Sequence, residues 1–130
     1  MKKSYFFFLF FAIYLHSHGQ SNCAKANSDV VYGYSHIKTA DDANNLEYLK
    51  LWSSRALESF NQVMVKLEAC SCEKSYNYTQ KIVELLNSVE NSESFEKSQS
   101  EIKKIRGITK GIIKELQLCT ELELEKYSSR

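Results

Sequence analysis

The sequence predicts an all-α fold: an up-down antiparallel bundle of four helices with its cysteines clustered at one end. Three observations predict it. Apolar residues recur three and four residues apart over most of the chain, the mark of a helix with one buried face. Proline is absent and glycine occurs only four times in 130 residues, so little punctuates those helices. The four cysteines, Cys23, Cys70, Cys72 and Cys119, fall only where helices are expected to begin or end.

Taken in order, the first segment, "CAKANSDVVYGYSHIKTADDA", places Val30, Tyr34, Ile37 and Asp41 on one face. Ser28 or Asn27 is expected to cap it. Gly33 weakens this helix, because glycine costs about 1 kcal/mol against alanine in a helix interior. The second helix is expected over about 45–69, where Leu49, Trp52, Ala56, Phe60, Val63, Leu67 and Cys70 form one stripe. Asn44, with Glu47 three residues on, reads as its capping box. With no proline at Asn44-Asn45, the alternative is one continuous helix through both segments.

A third helix follows Cys72, with Tyr78, Ile82, Leu85 or Leu86, and Val89 on one face. "ENSESFEKSQS" breaks the pattern. The fourth helix then starts at Ser94 or at the Ser98-to-Glu101 box, and runs through Ile102, Ile105, Thr109, Ile112, Leu116 and Cys119. The bundle domain is expected to span 20–124, with 125–130 a frayed, disordered tail.

The N-terminal "MKKSYFFFLFFAIYLHSHGQ" stands apart from this pattern. Lys2 and Lys3 precede an 11-residue apolar run from Tyr5 to Leu15, and Ser17 and Gly19 are small residues before Gln20. This is the pattern of a signal peptide over 1–19. The run is shorter than the roughly 20 residues a membrane span needs, so no transmembrane segment is expected once the leader is cleaved. The alternatives are a retained anchor and a lipoprotein on Cys23, although Gln20-Ser21-Asn22 lacks a lipobox. The leader resembles those of Gram-negative bacteria, which implies a periplasmic or extracellular location.

About 111 residues remain after cleavage, carrying 15 basic and 16 acidic residues, a net charge of −1. That balance argues against nucleic acid as a partner. A domain of this size gains from covalent staples, and four cysteines in an oxidising compartment read as two disulfides. A Cys70–Cys72 bridge would close a strained ring. Two pairings remain, with Cys23 joined to Cys70 or to Cys72 and Cys119 to the other. Antiparallel helices would bring all four cysteines to one rim, with Cys70 closing one helix and Cys72 opening the next.

Other chemistry finds little purchase. Zinc sites favour C-x2-C pairs or histidines, and His36 is the only histidine after the leader. A thiol–disulfide active Cys70-Ser71-Cys72 is an alternative, though nothing nearby lowers a thiol pKa. Haem attachment would need C-x-x-C-H and a di-iron bundle Glu-x-x-His pairs, and neither occurs. A catalytic triad cannot be argued from one histidine. No enzyme, cofactor or metal is therefore expected. The Asn77-Tyr78-Thr79 sequon matters only on a eukaryotic secretory route.

Two surfaces are candidates for binding. Lys103, Arg106, Lys110 and Lys114 share one sector of the fourth helix, and Lys97–Lys114 holds six basic residues and one acid, a local net of +5. That face could meet anionic material, or it is simply the solvated side of the helix, balanced by acidic neighbours. Gly107 and Gly111 beside it offer a close homodimer contact or a local bend. Tyr32, Tyr34, Tyr48, Trp52, Phe60, Tyr76 and Tyr78 supply core and rim, or an aromatic groove beside the first helix.

"ANNLEYLKLWSSRALESF" and "ACSCE", within a region from about His36 to Cys119, resemble small secreted helical proteins of bacteria that carry a C-x-C helical hairpin. The resemblance implies an exported helical fold and no activity. The leading expectation is an exported, non-enzymatic interaction or structural protein, with a protein or envelope component as partner. A small binding module for an anionic or aromatic ligand is the alternative.

Overall fold

The computed structural model describes residues 21–128, so the leader lies outside the described residues. They form four helices, α1 (Asn22–Asp41), α2 (Leu46–Cys70), α3 (Glu73–Asn91) and α4 (Phe95–Ser128). No helix among them is long and apolar enough to cross a membrane.

The chain breaks between α1 and α2 at Asp42–Asn45, so the first two segments do not merge. The caps fall near the expected places but on other residues. Ser21 Oγ accepts the Ala24 N–H at 3.1 Å, about two turns before Asn27 and Ser28. Asn45 Oδ1, not Asn44, accepts the Tyr48 N–H at 2.8 Å. Ser94 Oγ accepts the Lys97 N–H at 3.2 Å and starts α4, whereas Ser98 is fully buried. Each bond satisfies one of the amide donors a helix start leaves open.

Contacts fix the directions of neighbouring helices. Along α1 and α2, Asp29 pairs with Lys66, Gly33 lies against Phe60 and His36 against Trp52, so rising numbers meet falling ones. Along α1 and α4, Cys23 meets Glu123 and Asp41 meets Arg106. Along α3 and α4, Lys74 meets Glu115 and Ser88 meets Glu101. Each pair is antiparallel. α1 and α3 occupy opposite corners of the bundle without touching, and the other diagonal pair, α2 and α4, touches only lightly.

The core follows the heptad-like stripes, with corrections. α1 buries Cys23, Ala26, Val30, Gly33, Ile37 and Ala40, so the stripe runs through Gly33 while Tyr34 and Asp41 stay half-buried. Facing it, α2 buries Ser53, Ala56 and Ser59 besides Leu49, Phe60, Val63 and Leu67. Small residues on both sides bring the two backbones close. A Cβ at Gly33 would lie 3.0 Å from Phe60 Cε2. In α3 the buried set is Ser75, Thr79, Ile82, Leu86 and Val89, while Tyr78 and Leu85 lie at or near the surface. The stripe of α4 is buried from Ile102 to Leu116. Three buried hydroxyls turn back on their own helices: Ser53, Thr79 and Thr109 each donate to the carbonyl four residues back, which satisfies those donors, whereas the buried Ser98 Oγ has no hydrogen-bond partner among the described residues.

α4 does not stop at the rim. It continues through Ser128, past the Leu124 boundary expected for the domain, so 125–128 are helical rather than a tail.

Candidate functional site

The four cysteines form two disulfides, Cys23–Cys70 and Cys72–Cys119, at one end of the bundle. The first joins the start of α1 to the end of α2, and the second joins the start of α3 to α4. Only Ser71 stands between the bridges. It ends α2 in the left-handed region, at φ 57° and ψ 29°, the one such residue among those described. A left-handed residue reverses a chain in the least length, so one serine suffices. Cys23, Cys70 and Cys72 are at most 4% exposed. Redox-active sulfurs need access and a stabilised thiolate, whereas these are shielded.

Cys23, Cys70 and the Glu123 carboxylate lie within 4.8 Å of one another. Both sulfurs are held in a disulfide, which leaves no thiolate to ligate a metal. Glu123 instead accepts the Cys23 N–H at 3.4 Å, at the positive end of the α1 dipole. A cavity of about 350 Å³ opens beside this rim, lined by Asn22, Ser71, Cys119, Leu122, Glu123 and Lys126.

The basic face of α4 divides. Lys103, Lys110 and Lys114 are exposed. Arg106 points the other way, and its Nη1 donates to Asp41 Oδ2 at 2.8 Å. Hydrogen bonding with Tyr34, and then with Asp41, raises the guanidinium pKa further. Arg106 is therefore a tie between α1 and α4, not part of an open anion-binding face. Its commitment to Asp41 was hidden because the two residues are 65 positions apart. Gly107 and Gly111 open onto solvent, with nothing within 4 Å of a Cβ built at either. Further along α4, Leu118 is 48% and Leu122 59% exposed.

The aromatic residues converge only in part. Tyr32, His36, Trp52 and Tyr48 form a chain of ring contacts across α1 and α2, with centroid separations of 4.6, 5.5 and 6.1 Å. Arg55 caps it, 4.4 Å from the Trp52 ring centroid. A cavity of about 420 Å³ lies alongside, lined by Asp29, Tyr32, His36, Arg55, Glu58, Ser59 and Gln62. Burial lowers the His36 pKa below its ordinary 6.5, and the positive charge of Arg55 lowers it further. Phe60 belongs to the core, and Tyr78 faces solvent on α3, away from this group.

No family model matches the chain, and neither a curated protein nor a solved structure matches it.

Proposed function

We propose that the protein is an exported, non-enzymatic interaction or structural protein of the periplasm or exterior of a Gram-negative bacterium, and that it meets its partner through the outer face of α4. The observation that carries this reading is the open face itself. Gly107, Gly111, Leu118 and Leu122 lie away from the core on the longest helix, with lysines beside them. Exposed apolar side chains gathered on one rigid face are a common sign of an interaction site. The two disulfides support the same reading, since they suit an oxidising compartment, and Cys72–Cys119 ties the helix that carries the face to the start of α3.

Site-specific photo-crosslinking in the producing cells tests this. A photoreactive residue at Leu118 or Leu122 is expected to give discrete adducts. The same residue at Val65, which is 66% exposed on α2, serves as control and is expected to give none. Equal labelling at all three sites would remove the reading.

A second reading has its own support in the cavity beside Tyr32, His36 and Arg55. A planar or aromatic ligand with a polar edge would stack on the exposed Tyr32 and meet Arg55. Trp52 is the only tryptophan in the chain, so its fluorescence would report occupancy directly. Binding that quenches it, and that weakens in Tyr32→Ala, is the expected outcome. No change across a panel of aromatic acids and amines would dismiss the ligand.

A further inference from the structure

The outer face of α4 reads differently in its two halves. Its first half carries Lys103, Lys104, Lys110 and Lys114 together with Gly107 and Gly111. Its second half carries Glu115, Glu121 and Glu125 together with Leu118 and Leu122. At about 100° per residue, Lys104, Gly107, Gly111, Leu118, Leu122 and Glu125 fall within a sector of about 60°. That sector points away from the buried Ile105, Thr109, Ile112 and Leu116.

The stripe is a palindrome in character. Reversed about a point between Lys114 and Glu115, it sets Gly107 opposite Leu122, Gly111 opposite Leu118, and Lys104 opposite Glu125. Lys110 comes beside Glu121, and Lys103 beside Glu125. A parallel pairing would stack lysine on lysine and glycine on glycine. Only the antiparallel arrangement puts a leucine over each gap and sets Lys104 against Glu125 and Lys114 against Glu115.

On this basis we propose that the partner of the α4 face is a second copy of the same chain, packed antiparallel about a two-fold axis between Lys114 and Glu115. The inference rests on the α4 reading above and names its occupant. Two-fold contacts are isologous, so one patch must complement itself, and this one does in both shape and charge. Glycine lets a facing backbone and its side chains approach closely. Leu118 and Leu122 then act as knobs, and the gaps at Gly111 and Gly107 as the holes that receive them. The charges needed are free for the purpose. None of Lys103, Lys104, Lys110, Lys114, Glu121 or Glu125 has an ion-pair partner among the described residues, whereas Glu115 already pairs with Lys74 at 3.4 Å. From Lys104 to Glu125 the stripe runs about 32 Å, at 1.5 Å per residue.

Sedimentation equilibrium of the full protein, purified after export, tests the inference. A dimer is expected for the unmodified chain. Gly107→Leu and Gly111→Leu are each expected to yield monomer. A Cβ at either position meets nothing within 4 Å, so circular dichroism should show helix content and Tm retained or raised. Lys104→Glu and Glu125→Lys should each weaken self-association about tenfold, through two like-charge contacts per dimer. Mixed together, these two variants should associate with each other at nearly the unmodified affinity, because every contact is again of opposite charge. Self-association that survives both leucine substitutions, or charge variants that behave alike alone and mixed, would overturn the antiparallel pairing.

A chain that stays monomeric at millimolar concentration would overturn the second copy altogether. The crosslinking sites then separate the two ideas. Adducts from Leu118 and Leu122 at twice the monomer mass support the dimer. Adducts only of other masses reject the dimer while keeping the α4 face, and no adducts reject both.

Discussion

At the scale of single residues, two glycines show how context sets the sign of one substitution. Gly33 lies where α1 touches α2, and the added methyl of alanine would come 3.0 Å from a Phe60 ring that is fully buried. The ring has no room to retreat, so overpacking outweighs the gain in helix propensity. Gly33→Ala is expected to destabilise by about 1 kcal/mol or more. Gly107→Ala meets open space and should stabilise the monomer by about 1 kcal/mol. Urea denaturation of both variants, at concentrations where the chain is monomeric, checks the contrast. His36 gives a pH signature. Its folded pKa is depressed, so the unfolded chain takes up the proton first as pH falls. Stability is therefore fully present above pH 6.5, declines below it, and levels off once the lowered folded value is passed. His36→Gln should remove that part of the slope in Tm against pH. None of these residue-level facts could be read from the sequence. A glycine in a helical run registers as a weakness until the facing side chain is known, and the Arg55 charge beside His36 depends on how α1 and α2 are set against each other.

At the scale of elements, the sequence was most legible where large side chains mark the core. The stripe Ile102, Ile105, Thr109, Ile112 and Leu116 is buried as its spacing predicts, and so are Leu49, Phe60, Val63 and Leu67. It was least legible for α1. That helix packs through Ala26, Gly33 and Ala40 against Ser53, Ala56 and Ser59, and small residues leave little hydropathy contrast between faces. The same cause moved the α3 stripe from Tyr78 to Thr79, whose hydroxyl is hidden by a bond to Ser75. The candidate site was half legible: the lysines and the glycine pair stood out, but the loss of Arg106 to Asp41 needed α1 and α4 side by side. The far end of α4 escaped because its apolar residues, Leu118, Leu122 and Leu124, are exposed rather than buried. A chain ending at Thr120 should lose under about 1 kcal/mol of monomer stability, since most of what it removes is solvated. By the reasoning above it should lose self-association entirely. Thermal unfolding and sedimentation on the same sample check both.

At the scale of the whole molecule, the rim of four cysteines was the most legible feature, and the pairing was what the sequence left open. Helix directions put all four sulfurs at one end but did not choose a partner for Cys23. Packing decides it, because α1 lies against α2 and α3 against α4, so each bridge fastens a pair of neighbours. Both bridges span 47 positions. The entropy of closing equal loops is equal, about 4 kcal/mol each. Cys23→Ser with Cys70→Ser, and Cys72→Ser with Cys119→Ser, should therefore lower stability by similar amounts. Removing both should leave little of the 5–15 kcal/mol typical of a folded domain. Calorimetry on the two double variants and the quadruple variant checks the equality and the sum.

The two bridges also have an order in time. The sulfurs pair first with second and third with fourth along the chain. A polypeptide threaded through a translocation channel from its N-terminus delivers them in that same succession. An oxidase that simply joins each new thiol to the last unpaired one makes both native links, so maturation of this chain calls for a donor of oxidising equivalents but not for a catalyst that reshuffles mistakes.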